Sequence, residues 1–313
     1  MEIQRDLEIL EIEIQELHKL KQEIKSAHKP EKEKKQKEKA DKSKENLQKL
    51  IKEQEKPIIN WNTKKPEISI TFDDGYGQEN ITTILEKLKK SWVKATFFVL
   101  WECIRKSKEL WKQAIEDGHQ ICCHTYSHAY LYEETDKKEN TKKTTTELFK
   151  GHGIKPKNRK WLIASREINV KRLLGQEYYN TIKKKNPKAP EIIDSATLLE
   201  TEILMREKEV KLTLGEKYLV KMKQNHPFFR FPGGCWATRK ENIEVLKKYG
   251  YLSIGRNGEP VKDKEKDKQI SNWDIILFHF NQENIKILDP YLSKIKESWK
   301  TSKVISEIIA PET

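Results

Sequence analysis

The stretch "ISITFDDGYG", residues 68–77, decides how this chain is read. Ile68, Ile70 and Phe72 alternate with Ser69 and Thr71, the period-two pattern of a short strand. Two carboxylates, Asp73 and Asp74, follow at once, and then Gly75. Adjacent like charges at a strand end repel each other, so the pair needs a reason. In isolation such a pair is ordinarily a turn or a helix cap.

Outward from this stretch, strands and helices alternate. Residues 67–72 read as a strand, and 79–90 as a helix with Ile81, Ile84, Leu85 and Leu88 on one face. "VKATFFVL" (93–100) reads as a second strand. "SKELWKQAIEDG" reads as a helix capped by Ser107 and stopped at Gly118, and "HQICC" as a third strand. Further on come the capped helix "TRKENIEVLKKYG", ending in Gly250, and the apolar strand "DIILFHF" (274–280). This order predicts parallel pairing and an α/β domain. In such folds the chemistry gathers at the C-terminal ends of the strands, where Asp73, Asp74 and the residues after Cys123 fall.

Composition separates the first 56 residues from the rest. Ile3, Leu7, Leu10, Ile14, Leu17, Lys21 and Ile24 recur at steps of four and three, a heptad seam with one polar break. Residues 1–24 are therefore expected either to self-associate as a coiled coil or to form a solvated single helix. The tract "KPEKEKKQKEKADKSKEN" that follows has no apolar face. Residues 1–56 hold 15 Lys and Arg against 14 Asp and Glu, so nearly all of the net charge of +13 lies in residues 57–313. A basic balance suits an anionic partner. No nucleic-acid-binding motif accompanies it, and no nucleic-acid partner is expected. The four cysteines show neither metal-knuckle spacing nor a disulfide framework. No apolar run reaches the length of a transmembrane segment. The start "MEIQRDLEIL" lacks the apolar region of a signal peptide. As written the chain reads as cytoplasmic; a misplaced start or a trimmed chain would move it to the cell envelope.

Four further features carry chemistry. "HTYSH" sets His124 and His128 four apart just after the third strand, a spacing that can chelate a divalent metal. Joined by a carboxylate from another strand end, they make an open three-ligand site. One aspartate could then bind the cation while the other holds a proton. "FFRFPGG" (228–234) places Arg230 where it could orient a carboxylate base. Pro232 and Gly233 could bring a backbone N–H to a developing oxyanion, although the stretch alone reads as a plain turn. In "ILFHF" Leu277 and His279 share a strand face, and His279 is either a core histidine or a general acid.

Taken in order, "TFDDG" (71–75), "HTYSH" (124–128), "RFPGG" (230–234) and "ILFHF" (276–280) resemble the polysaccharide deacetylase family, the NodB-homology carbohydrate esterases. "KATFFV", "EDGHQI" and "TRKENIEVLKKYGY" add to the likeness, which covers about 66–128 and 226–313. The resemblance implies a distorted (β/α) barrel with fewer than eight strands. It implies a hydrolase using one divalent metal, zinc in the first place and cobalt or another ion otherwise, that removes N-acetyl groups from a GlcNAc-containing glycan such as peptidoglycan. By motif position Asp73 is the base, and Asp74, His124 and His128 are the metal ligands. Arg230 orients Asp73, Gly233 faces the oxyanion, Leu277 lines the acetyl pocket, His279 is the acid and Thr125 braces the metal loop.

The chain departs from the family in three places. The Trp and Asp usual before the last strand have no clear counterpart in "YLSIGRNGEPVKDKEKDKQISNW". Cys122 and Cys123 stand before the first metal histidine, as extra ligands or as inert buried thiols. About 97 residues separate His128 from His226, which implies an insertion centred on 151–225 with 17 Lys and Arg against 9 Asp and Glu. That insertion, with helices expected around 195–209 and 216–223, either steers an anionic polymer or is a lysine-rich excursion of a lysine-rich chain. Two other functions are open at this point: a non-catalytic glycan-binding or scaffold protein, and an O-acetyl esterase on the same fold.

Overall fold

In the computed structural model, described for residues 41–59, 65–129, 156–189, 193–234, 237–260 and 274–309 plus positions 15, 19, 37 and 38, seven parallel strands form one sheet. The side chains of 156–165 lie outside the description, as does most of the heptad seam of 1–24, and with it the expected self-association. Two compact units are present, Met1–Leu47 with Ala310–Thr313, and Gln48–Ile309. The second begins before the compositional boundary at 56. Ile51 and Gln54 are buried in it, and Gln54 bonds the backbone of Tyr251 and Ser253.

The strands are β1 (Glu67–Asp74), β2 (Thr96–Val99), β3 (Gln120–Cys123), β4 (Phe228–Phe229), β5 (Leu252–Ser253), β6 (Ile275–His279) and β7 (Thr301–Ser302). Their order is β5-β4-β3-β2-β1-β6, and β7 adds to the start of β1. The chain after β5 then turns back on β6: Asn257 N–H donates to Ile275 O at 3.1 Å, and Leu277 N–H to Gly258 O at 2.9 Å. This irregular segment links the two ends of the sheet, giving the distorted (β/α) barrel expected from the resemblance, with fewer than eight strands.

Helices cover the outside: α1 (Gln78–Lys90), α2 (Trp101–Lys106), α3 (Lys108–Glu116), α4 (Pro156–Lys185, broken at Gly175), α5 (Ser195–Thr213), α6 (Glu216–Asn225), α7 (Lys240–Tyr249), α8 (Gln282–Glu297) and α9 (Ile305–Ile309). The strand β1 alternates as its sequence required. Phe72 faces the helices, where it stacks on Phe97 and Phe278 at centroid distances of 5.2 and 5.4 Å. Such pairs add directional preference to the burial of large apolar surfaces. Thr71 and Asp73 face the barrel interior, level with Leu277 and His279 of β6. The face of α1 that packs inward carries Ile81, Ile84 and Leu88, as its period indicated.

The helix α5 falls within the span 151–225 and contributes to the core. Leu198, Leu199, Ile203, Met205 and Val210 are buried, and so are Glu202 and Arg206. A helix buried on more than one face belongs to the core rather than to an appendage. The basic run near the end of α4 does stay outside, with Lys183, Lys184, Lys185 and Lys188 exposed.

Candidate active site and metal centre

All the expected ligands come together at one mouth of the barrel. Asp74 ends β1, and His124 and His128 flank the turn after β3. Ligand atoms from these three residues lie within 4.8 Å of one another. Both imidazoles approach the same carboxylate oxygen: His124 Nε2 is 3.5 Å and His128 Nε2 3.4 Å from Asp74 Oδ1. That oxygen is buried and has no hydrogen-bond partner. A buried carboxylate oxygen left unpaired is costly, and a cation between it and two imidazoles satisfies it. The residues therefore fit a divalent metal.

The second sphere is built to keep them aimed. His124 Nδ1 donates to the carbonyl of Arg230 at 2.9 Å, since a carbonyl can only accept, and this leaves Nε2 to face the aspartates. Burial opposes protonation of His124, but the charges of Asp73 and Asp74 outweigh it and raise its pKa. Burial and then the His124 charge push His128 down to about 4. Burial likewise opposes ionisation of Asp74, yet His124, His128 and His279 hold its carboxyl below the usual range.

Asp73 is held differently. Arg230 Nη1 donates to Asp73 Oδ1 at 2.8 Å and to Thr71 Oγ1 at 2.7 Å. Its Nη2 donates to Gly255 O at 2.7 Å, and its guanidinium lies 4.1 Å from the centroid of Phe98. Arg230 is only 3% exposed. Burial lowers its pKa, with Asp73 opposing, but an arginine remains cationic at such sites. Each of its three nitrogens has an acceptor, so the Asp73 carboxylate is held in one orientation. His279 stands level with Asp73 on the neighbouring strand and is half-buried, while Leu277 is buried two residues earlier. Gly233 lies in a tight turn over Pro232–Gly234 with φ 62°, on the exposed rim.

Two expectations change. Thr125 is fully buried, but its hydroxyl has no hydrogen-bond partner and so does not brace the loop by that route. The brace is Glu202 of α5. Its Oε2 accepts from the N–H of Tyr126 at 2.9 Å and of Ser127 at 2.7 Å, and its Oε1 accepts from Ser127 Oγ at 2.8 Å. Those two residues lie between His124 and His128. One turn further along α5, Arg206 donates to Cys122 O at 2.9 Å and fixes the end of β3. The sequence held a signal for both: Glu202 and Arg206 stand four apart in "LLETEILMREKEV", charges set among apolar residues of a helix. Cys122 and Cys123 are buried within β3, and burial pushes both thiols up, which makes them inert core residues.

Where the family's Trp and Asp were missed, Arg256 and Glu259 form an ion pair at 3.0 Å beside β6. Trp273 lies outside the described residues.

Residues 60–157 match the polysaccharide deacetylase family. That match spans about a third of the chain, and over those residues the chain is similar to the family. A peptidoglycan-N-acetylglucosamine deacetylase of Bacillus cereus is 48% identical over 67 residues, 21% of this chain and 24% of that protein. Across the curated relatives that head the comparison, the chain spans a third or less of their length. A family 4 carbohydrate esterase from Bacillus anthracis shares the fold at a TM-score of 0.51 and 20% identity, over 83% of this chain and 90% of that one. A CE4 family pseudoenzyme from Bacillus anthracis shares it at 0.52 and 16%, over 82% and 69%. The polysaccharide deacetylase barrel thus frames the site, and its mouth is where the family's four motifs meet.

Proposed function

We propose that this chain is a metal-dependent N-deacetylase that removes acetyl groups from GlcNAc residues of a glycan, with peptidoglycan as the substrate. One observation carries the reading: the unpaired, buried Asp74 Oδ1 faces two imidazoles, beside a second carboxylate locked by Arg230. Relatives named as peptidoglycan deacetylases in Bacillus cereus and Listeria monocytogenes support the choice of glycan.

Asp74, His124 and His128 would hold the cation, zinc in the first place; bound there it would act as a Lewis acid toward the acetyl carbonyl and acidify water. Asp73, oriented by Arg230, takes the proton of the attacking water. The N–H of Gly233 faces the oxyanion as it develops. Leu277 offers an apolar wall to the acetyl methyl. His279, level with Asp73, gives a proton to the departing amine. The products are acetate and a glucosamine residue.

A second reading draws on the missing Trp and Asp and on the likeness to a pseudoenzyme fold: a glycan-binding protein without turnover. The assay is acetate release from acetylated chitooligosaccharides and peptidoglycan fragments, with and without added zinc or cobalt. Release that depends on the metal and disappears in Asp73→Asn is expected. Glycan binding without release would support the second reading, and release from ester but not amide substrates would make the chain an O-acetyl esterase.

A further inference from the structure

Two stretches far apart in the chain carry one pattern: "LEKLKKSW" (85–92) and "LSKIKESW" (292–299). The first ends α1 and the second ends α8. Each terminus closes with the same pair of bonds. Trp92 N–H donates to Lys89 O at 3.1 Å and Val93 N–H to Leu88 O at 2.9 Å; Trp299 N–H donates to Lys296 O at 3.1 Å and Lys300 N–H to Ile295 O at 3.3 Å. In this motif the residue after the cap must be left-handed, and glycine is the usual occupant. Here it is tryptophan twice, at φ 59° and 57°. A bulky side chain at that φ is strained and needs a reason. Packing does not supply one, because Trp92 is 93% and Trp299 89% exposed.

Topology places the two indoles on one rim. The strands β1 and β6 are parallel neighbours, and the helices that follow them touch through Lys87 and Asp289. Beyond the tryptophans the chain enters β2 and β7, and Ser302 Oγ donates to Lys94 O at 3.3 Å. This is the N-terminal end of the strands, roughly 25 Å along β1 from the aspartates. The surrounding charge has one dominant sign. Residues 85–94 and 292–301 together contain seven lysines and two glutamates. Lys89, Lys90, Lys294 and Lys296 are exposed and enter no ion pair among the described residues.

We propose that this rim, through Trp92 and Trp299, docks on an anionic phospholipid surface and leaves the mouth of the barrel turned away from it. An indole at a convex helix end suits the headgroup layer, where its apolar ring and its N–H are both accommodated. Lysines around it pair with lipid phosphates. A sugar chain would call for carboxamides or carboxylates beside the rings to bind its hydroxyls; each stretch instead offers lysines, a single glutamate and one or two serines.

The test is co-sedimentation of the full chain with phosphatidylcholine vesicles, with and without phosphatidylglycerol, at low and high salt. Binding to the anionic vesicles that weakens with salt is expected, and the double variant Trp92→Gly/Trp299→Gly should lose it by roughly tenfold or more. Glycine is the usual occupant of this left-handed position, so the variant folds. Its thermal unfolding should hold or rise, and its metal content should be unchanged. Vesicle binding equal in parent and variant would overturn the proposal, as would a parent that ignores vesicles or that binds only a soluble anionic wall polymer. Because the variant leaves the mouth intact, its acetate release reports separately on the deacetylase reading.

Discussion

The two ends of the barrel handle backbone strain in opposite ways. Among the described residues, five non-glycines have positive φ: Asp74, Thr125 and His128 at the mouth, and Trp92 and Trp299 at the opposite rim. At the mouth the strained residues are held by buried partners, with Glu202 gripping the loop and Arg230 bonding the carbonyl-facing His124 and Asp73. At the rim only the helix-end bonds hold the backbone, and the side chains project into solvent. Strain at the mouth orders ligands. Strain at the rim presents surface. Substitution should therefore cost function at one end and release energy at the other.

The largest expected effect is at Asp74. Asp74→Ala should abolish metal retention and reduce turnover by roughly a thousandfold or more, since several kcal/mol of transition-state stabilisation depend on the cation, at 1.36 kcal/mol per decade. Metal content and acetate release measured on one preparation check it. Full turnover in that variant would break the contrast at its stronger end.

Asp73→Asn comes next. The metal should stay, because the three ligands are untouched, while kcat falls about 10²–10⁴-fold with the loss of the base. A variant that lost metal and activity together would mean that Asp73 belongs to the ligand set instead.

Glu202→Ala sharpens the comparison, because it attacks the support rather than the ligands. Two backbone N–H groups would be left without an acceptor, at about 1–3 kcal/mol each. Metal affinity should drop about 10–100-fold, as for other outer-shell changes. Glu202→Gln retains a carbonyl oxygen and should recover part of the affinity. Competition with a chromogenic chelator reads both. Unchanged affinity in Glu202→Ala would make the clamp merely a packing contact.

The smallest effect is at the rim. A left-handed non-glycine costs about 1–2 kcal/mol, partly offset by the greater freedom of glycine in the unfolded chain. Trp92→Gly and Trp299→Gly should each raise the unfolding temperature by about 1–3 °C. A fall of several degrees in either would show that the indoles pack against the protein instead of standing in solvent.

The sequence made the mouth legible and left its supports hidden, for a physical reason. Asp73, Asp74, His124, His128, Arg230 and His279 each sit in a short run with its own local signature at a strand end, so order along the chain was enough to assemble them. The strands β1, β3 and β6 and the helices α1, α3 and α7 followed from period and punctuation. Glu202 bears no such mark of its partners. Its role exists only because α5 returns beneath the loop after β3, 75 residues from Ser127, a contact that helical periodicity alone does not reveal. The barrel's closing segment, 255–258, has no strand pattern because its bonds to β6 come from an irregular backbone and the Asn257 side chain. The short helix α2 was hidden because Trp101–Lys106 continues an apolar run that reads as strand. The tryptophans carry no signal in the sequence, because only their φ and exposure set them apart from any Trp after a Lys-rich helix end.

The central claim is that Asp74, His124 and His128 share one cation. Metal analysis of the purified chain after exposure to zinc and removal of excess, run beside His124→Ala, tests it most directly. About one equivalent should remain on the parent and almost none on the variant. Equal metal on both, or none on the parent, would contradict the account.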